Sequence, residues 1–257
     1  MSDEIIVTRH AAHVDILLNR PDKGNAIDMP MLRLLDDAAR ALEHDREIRA
    51  VVLRGAGERF FCTGGDIAAW GALTPCDMGR EWIGYGIEVF NRIAALPQPV
   101  IALLNGHTLG GGLELAMAAD LRVAVRRAKL GSPEVSLGMI AGWGGVRRLA
   151  ELIGPARAAH VTLLGKAITA EQALDWGLVT ALVDDAASLQ AQCDAWVETL
   201  CGNGPIAMAL VKHLLAGMRA DAADQHGWAV AQAAASDDCR EGVAAFLAKR
   251  PPVYRNR

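Results

Sequence analysis

The sequence contains no CxxC pair and no histidine set at metal-ligand distance from a cysteine, so it encodes neither a local zinc module nor a dithiol redox centre. Its five cysteines, Cys62, Cys76, Cys193, Cys201 and Cys239, are odd in number and far apart. That excludes a disulfide framework and predicts reduced, mostly buried thiols. Basic tracts are also missing: the formal net charge is −4, the pI is near 6.0, and the two signs are interspersed, which argues against nucleic acid as a partner. No apolar stretch reaches the length of a membrane span. The opening Met1-Ser2-Asp3-Glu4 is acidic and runs straight into Ile5-Ile6-Val7, without the basic and apolar regions of a signal peptide. A soluble cytoplasmic protein without metal or separate cofactor is the expectation. What is abundant is apolar surface: 52% of 257 residues are hydrophobic and mean hydropathy is +0.18, enough for a large core.

Hydrophobic periodicity orders that core. Ile5 to Arg9 and His13 to Leu18 alternate as a hairpin, and a turn follows through Arg20-Pro21-Asp22-Lys23-Gly24. Asp28 caps a predicted helix with Pro30 in its first turn and Leu32, Leu35, Ala39 and Leu42 on one face. Strand 50–54, helix 78–96, strand 100–104, helix 113–119 and strand 121–125 follow. This alternation predicts an α/β fold with helices covering the sheets. Beyond about Ala141 the texture becomes alanine-rich and helical, with a strand-like run over 178–183. Residues 186–247 read as helix, broken at Gly202-Asn203-Gly204-Pro205 and near Gly217. We therefore divide the chain into a core over 1–195 and a helical region over 196–257.

Two segments place glycines between a strand and a helix: Phe61-Cys62-Thr63-Gly64-Gly65-Asp66-Ile67 after strand 50–54, and Asn105-Gly106-His107-Thr108-Leu109-Gly110-Gly111-Gly112-Leu113-Glu114 after strand 100–104. Glycine permits close backbone approach, and the first amides of a helix have no intrahelical acceptor. One such loop is commonly a structural turn, whereas two at successive junctions can aim two N–H groups at one oxyanion. Neither loop has the G-x-G-x-x-G or G-x-x-x-x-G-K-[ST] spacing of nucleotide-binding loops.

These segments, together with Pro133-Glu134-Val135-Ser136-Leu137-Gly138, resemble the signature regions of the enoyl-CoA hydratase/isomerase, or crotonase, superfamily. The likeness continues in Leu18 to Ala26, Gly142-Trp143-Gly144-Gly145 with Arg147-Arg148-Leu149, Ala170 to Ala173, Gly177-Leu178-Val179 and Phe246 to Pro251, and so covers nearly the whole chain. It implies a crotonase (ClpP-like) spiral of repeated ββα units with a C-terminal helical trimerisation region, giving a homotrimer or a dimer of trimers. It implies further that the amides of Gly65 and Gly111 face the thioester oxygen of an acyl-CoA substrate, with Thr63, Gly64, Asp66, Ile67 and Gly110 beside them.

Taken alone, Glu114 and Glu134 have an ordinary explanation, since acidic residues in a first helical turn favour the helix dipole. The resemblance changes this reading, because hydratases of the family carry a glutamate at both places while many isomerase, hydrolase and dehalogenase relatives keep one or neither. The expectation is an enoyl-CoA hydratase in which Glu114 activates water and Glu134 exchanges the proton at C2. A sister reaction on acyl-CoA, or a non-catalytic binding protein of the same fold, is the alternative.

Trp143 stands where close hydratase relatives carry a small residue, and faces either the acyl pocket or the core. Gly142 is implied as a backbone contact to the water, and Trp70 as pocket wall. Lys23 and Lys249 or Arg250 are implied as phosphate partners, with Asn25 and Ala26 as adenine-pocket backbone. Asp66 reads as a helix cap rather than a catalyst, and His107 as structural.

Overall fold

The computed structural model describes residues 4–217 and 235–257. Strands β1 (Ile5–Arg9) and β2 (His13–Leu18) pair as the expected antiparallel hairpin. β2 buries Val14, Ile16 and Leu18 on one face, the period-two pattern that fixes which side meets the core. Helix α1 (Met29–Leu42) starts as read from the sequence: the Asp28 side chain accepts the Met31 N–H, and Leu32, Leu35, Ala39 and Leu42 are buried.

Three successive turns of chain then each contribute one strand to a large sheet and one to a small sheet before a helical segment. The first comprises β3 (Ala50–Gly55), β4 (Phe60–Cys62) and α2 (Ile67–Trp70); α3 (Pro75–Asp77), a π-helical stretch over Met78–Gly84 and α4 (Tyr85–Ala95) extend it. The second comprises β5 (Val100–Leu104), β6 (His107–Leu109) and α5 (Gly111–Ala116). The third comprises β7 (Leu121–Val125), β8 (Lys129–Gly131) and a 3₁₀ turn over Glu134–Leu137, leading to α6 (Gly145–Ile153) and α7 (Pro155–Leu164). After β9 (Ile168–Thr169) and α8 (Ala170–Asp175), β10 (Ala181–Val183) closes the large sheet. The strand orders are β1-β2-β3-β5-β7-β10 and β4-β6-β8-β9. All pairs from β2 to β10 in the large sheet are parallel, and so are β4-β6-β8 in the small one. This is the expected ββα spiral.

Parallel strands covered on both faces need continuous apolar runs, which Val51–Leu53, Val100–Leu104 and Val123–Val125 supply, all essentially without exposure. Three features differ from the sequence reading. Each glycine loop follows a short strand of the small sheet, β4 or β6, and not the large-sheet strand directly; three residues between turns are too few to show a period. The helix expected over 78–96 begins with a π turn, and that expected over 113–119 runs from Gly111 to Ala116. The thiols are less buried than expected: Cys62 and Cys193 are buried and Cys201 is half-buried, but Cys76 and Cys239 lie exposed on helices with a solvent face.

Toward the C-terminus, α9 (Ala186–Cys201), α10 (Pro205–Gly217) and α11 (Asp237–Leu247) are helical as read from the sequence. The expected boundary at 195/196 falls within α9. Positions 218–234 of the region expected to trimerise lie outside the described residues. Among the described residues, no helix is long and apolar enough to cross a membrane.

The loop over 20–27 is laced to the first glycine loop. Asn25, fully buried at φ 55°, donates to the carbonyls of Ala56, Phe60 and Phe61 at 3.0–3.1 Å and accepts the Arg20 N–H at 3.0 Å. Replacing it with alanine removes the two amide hydrogens that these carbonyls share, leaving Phe60 C=O with Asn105 Nδ2 at 3.4 Å, and puts a Cβ-bearing residue without a compensating side chain at positive φ. Asn25→Ala is expected to cost about 3 kcal/mol or more, read as a shift of the urea unfolding midpoint. A change below about 1 kcal/mol would show that the lacing is dispensable.

Candidate active site

The first glycine loop is held by a parallel bridge between Ile27 and Gly65, in which Gly64 C=O accepts from Ile27 N–H at 2.8 Å and Asp66 N–H donates to Ile27 C=O at 2.7 Å. Because neighbouring backbone groups alternate in direction, this bridge turns the Gly65 N–H to the opposite side. Gly64 reaches this geometry at φ 109°, a region favouring glycine. The second loop turns at Gly110 (φ 53°, ψ −130°), whose N–H donates to Gly131 C=O at 2.9 Å. α5 therefore starts with Gly111 N–H as an unpaired first-turn amide. Among the described residues neither Gly65 N–H nor Gly111 N–H has an acceptor. The loops touch: a Cβ placed on Gly64 would lie 3.0 Å from Gly111 N, and one on Gly111 would lie 3.4 Å from Gly65 N.

Both glycines line one cavity of about 60 Å³, together with Glu114, Glu134, Trp70, Trp82, Ile83, Gly142 and Trp143. Glu114 stands one turn into α5 and is 3% exposed. Its Oε1 accepts the Gly145 N–H at 2.7 Å. Burial, reinforced by the charge of Glu134, pushes its carboxyl up to about 7, while the Gly145 and Trp143 backbone and Arg148 partly oppose the rise. Glu134 begins the 3₁₀ turn half-buried, and Ser132 Oγ donates to its Oε2 at 2.7 Å. Its other oxygen faces the second loop, 3.0 Å from where a Cβ of Gly110 would stand.

Arg148 is a participant that the sequence reading quoted without assigning a role. It is 6% exposed, donates to Trp143 C=O at 2.9 Å and to Asn91 Oδ1 at 2.7 Å, and so fixes the 142–145 loop that holds Glu114. An arginine three residues beyond a glycine pair was the available signal, but its partner Asn91 lies on α4, far away in sequence. Trp143 answers both options considered for it: it is 2% exposed in the core and also forms part of the cavity wall.

The remaining candidates fall elsewhere. Asp66 caps α2 through Ala68 N–H at 3.1 Å and pairs with Arg20 at 3.1 Å, in keeping with a cap. Thr63, Gly64, Ile67 and Gly110 adjoin the cavity in sequence without lining it. Asn25 and Ala26 commit their backbone internally: Asn25 C=O accepts the Cys62 thiol at 3.1 Å and Ala26 C=O accepts Arg20 at 2.8 Å. Lys23 is exposed, 3.8 Å from Asp66. Lys249 sits exposed on a turn at φ 51°, and Arg250 is held bidentately by Glu241 at 2.6 and 2.9 Å. His107 lies at the opposite end of β6 from Gly110; its Nδ1 accepts the Lys129 N–H at 3.1 Å, and burial beside three cations lowers its proton affinity. Burial pushes the Cys62 thiol up to about 12, which removes it as a nucleophile.

One grouping was not foreseen. Donor atoms of His10, His13 and Asp15 lie within 4.8 Å of one another on the β1–β2 hairpin. Asp15 Oδ2 is 3.1 Å from Arg54, and the imidazoles stack with 10° between their planes. One ion cannot lie in both ring planes of such a stack, so as it stands the group is an Asp15–Arg54 ion pair beside two stacked imidazoles.

A family model described as enoyl-CoA hydratase/isomerase matches residues 8–257. The chain is 33% identical over 260 residues to a short-chain-enoyl-CoA hydratase of Clostridium acetobutylicum, covering 99% of each protein. It is 32% identical over 268 residues to a carnitinyl-CoA dehydratase of Salmonella typhi, covering all of both. Among solved structures, an enoyl-CoA hydratase from Bacillus anthracis superimposes with a TM-score of 0.94 at 33% identity, covering 99% of this chain and 100% of that one.

The raised Glu114 carboxyl has a consequence for stability. The unfolded chain releases this proton near the ordinary glutamate value of 4.5 and the folded one near 7, so between these values folding retains a proton and stability falls as pH rises. Glu114→Gln, which keeps an acceptor for Gly145 without a charge, should gain in melting temperature over the parent as pH goes from 5 to 8. The full difference is on the order of 3 kcal/mol. A pH-independent difference would show that Glu114 is not held protonated by its surroundings.

Proposed function

The chain belongs to the enoyl-CoA hydratase/isomerase family of enzymes, and we propose that within it the protein is a hydratase, adding water across the 2,3 double bond of a 2-enoyl-CoA thioester. The observation that carries this reading is the pair of carboxyl groups, Glu114 and Glu134, lining the same cavity as the unpaired amides of Gly65 and Gly111. Moving a double bond needs one proton-transfer group, whereas adding water needs a group at each reacting carbon.

In this assignment the thioester oxygen accepts from Gly65 N–H and Gly111 N–H, which draws electron density from C3 through the conjugated system. Water bonds to C3 and loses a proton to Glu114. The enolate charge rests on the two amides, an arrangement whose single-donor loss elsewhere costs about 3–4 kcal/mol. Glu134 delivers a proton to C2, so the pair ends with its proton on the other carboxyl and exchange with solvent resets it. A carboxyl raised to about 7 is a stronger base than an exposed glutamate while remaining substantially ionised at neutral pH, which suits Glu114 to the water side. The reverse path removes water from a 3-hydroxyacyl-CoA through the same enolate, so a dehydratase direction uses the same residues.

The test is loss of the conjugated thioester absorbance of crotonyl-CoA on mixing with the protein. Glu114→Gln and Glu134→Gln should each lower kcat by about 10²–10⁴-fold. Glu134→Gln should also abolish deuterium exchange at C2 in heavy water. Full activity in either variant, or retained exchange in the second, would overturn the assignment.

A further inference from the structure

We infer that the indoles of Trp82 and Trp143 form a rigid floor to the acyl pocket and restrict the enzyme to short acyl chains, with Trp143 as the specificity-determining residue. This rests on the acyl-CoA reading of the site and adds the class of acyl group.

Three indoles line the cavity beside Gly65. A Cβ on Gly65 would lie 2.9 Å from Trp82 Cζ2, 3.3 Å from Trp70 Nε1 and 3.4 Å from Trp143 Cη2. Trp70 is half-buried at the rim, but Trp82 and Trp143 are 4% and 2% exposed. A chain leaving the oxyanion amides therefore meets aromatic carbon at once on the buried side.

The floor does not give way, for four reasons. The Trp143 N–H donates to Trp82 C=O at 3.2 Å, inside the π-helical stretch, tying one indole to the backbone of the other. The Trp143 ring is wedged between Gly111 and Gly86: a Cβ on either would overlap it, so the two positions facing the ring have no side chain that could rearrange. Behind it, fully buried Phe90 packs edge-on with centroids 5.1 Å apart, and Trp82 lies at 5.2 Å. Arg148 anchors the Trp143 carbonyl. The space left, about 60 Å³, is the volume of about two water molecules, so only a short acyl group ends inside it. A longer chain must leave over the rim past Leu137 and Ile140, which are 55% and 70% exposed among the described residues.

The test compares chain lengths on the intact enzyme. For the parent, kcat/KM should fall at least tenfold from crotonyl-CoA to 2-decenoyl-CoA. In Trp143→Phe, which removes the inner ring atoms and keeps an aromatic plug, the decenoyl-to-crotonyl ratio should rise at least tenfold. A ratio within one preparation is unaffected by the fraction that folds.

Binding of saturated butyryl-CoA and decanoyl-CoA to the parent, by calorimetry, decides independently of turnover. In an open apolar channel each added methylene tightens binding about fourfold, so decanoyl-CoA would bind more than a hundredfold tighter. With the floor in place the two should agree within about tenfold. Affinities that agree within tenfold, without crotonyl-CoA turnover, would leave the floor standing while the hydratase reading falls. Decenoyl-CoA turnover within threefold of crotonyl-CoA, a Trp143→Phe ratio equal to the parent's, or hundredfold tighter decanoyl-CoA binding would overturn it.

Discussion

Two backbone N–H groups from loops more than forty residues apart lie against one cavity and, among the described residues, without an acceptor, and the rest of the site follows from that constraint. A side chain on either loop would separate them: a Cβ at position 64 would press on Gly111 N at 3.0 Å, and one at 111 would overlap the Trp143 ring. The Ile27–Gly65 bridge sets the direction of one amide and the start of α5 that of the other. Because both donors belong to the backbone of packed elements, their dipoles are fixed before any substrate arrives, the condition under which such groups stabilise developing charge.

The same packing sets the surroundings of the two carboxyl groups. Glu114 is buried where a charge is costly, and Arg148 does not touch it but positions the loop whose Gly145 N–H does. A buried cation in direct contact would hold the carboxyl ionised and weak as a base. Placing it on the Trp143 carbonyl, two residues before Gly145, leaves a backbone N–H as the contact and lets desolvation dominate, so the carboxyl rises to about 7. Glu134, half-buried and bonded to Ser132, meets a different environment. Two identical side chains thereby acquire different surroundings within one cavity.

Much of the scaffold was legible because its signals are local. The β1–β2 hairpin, the Asp28 cap and the apolar face of α1 each depend on residues within a few positions of one another, and the structure reproduces them. The strands of the small sheet were not legible. β4, β6 and β8 are three residues each, and the parallel partner of each lies more than twenty residues away, so neither period nor turn chemistry marks them. The π turn over Met78–Gly84 was hidden for a related reason, since its composition is that of an ordinary helix.

The sequence by itself determined the α/β class, the two glycine loops, the presence of both glutamates and, through its resemblance, the family. All of these are statements about which residue types occur in which order. Tertiary structure alone decided which amides are unpaired, that burial acts on Glu114, that Asn25 is a fully bonded core residue, and that Trp143 lies both in the core and against the cavity. Those properties depend on what lies beside a residue in space. For Glu114, Trp143 and Arg148 those neighbours come from α4, α5 and the π turn, elements that the order of residues does not bring together until the spiral has closed.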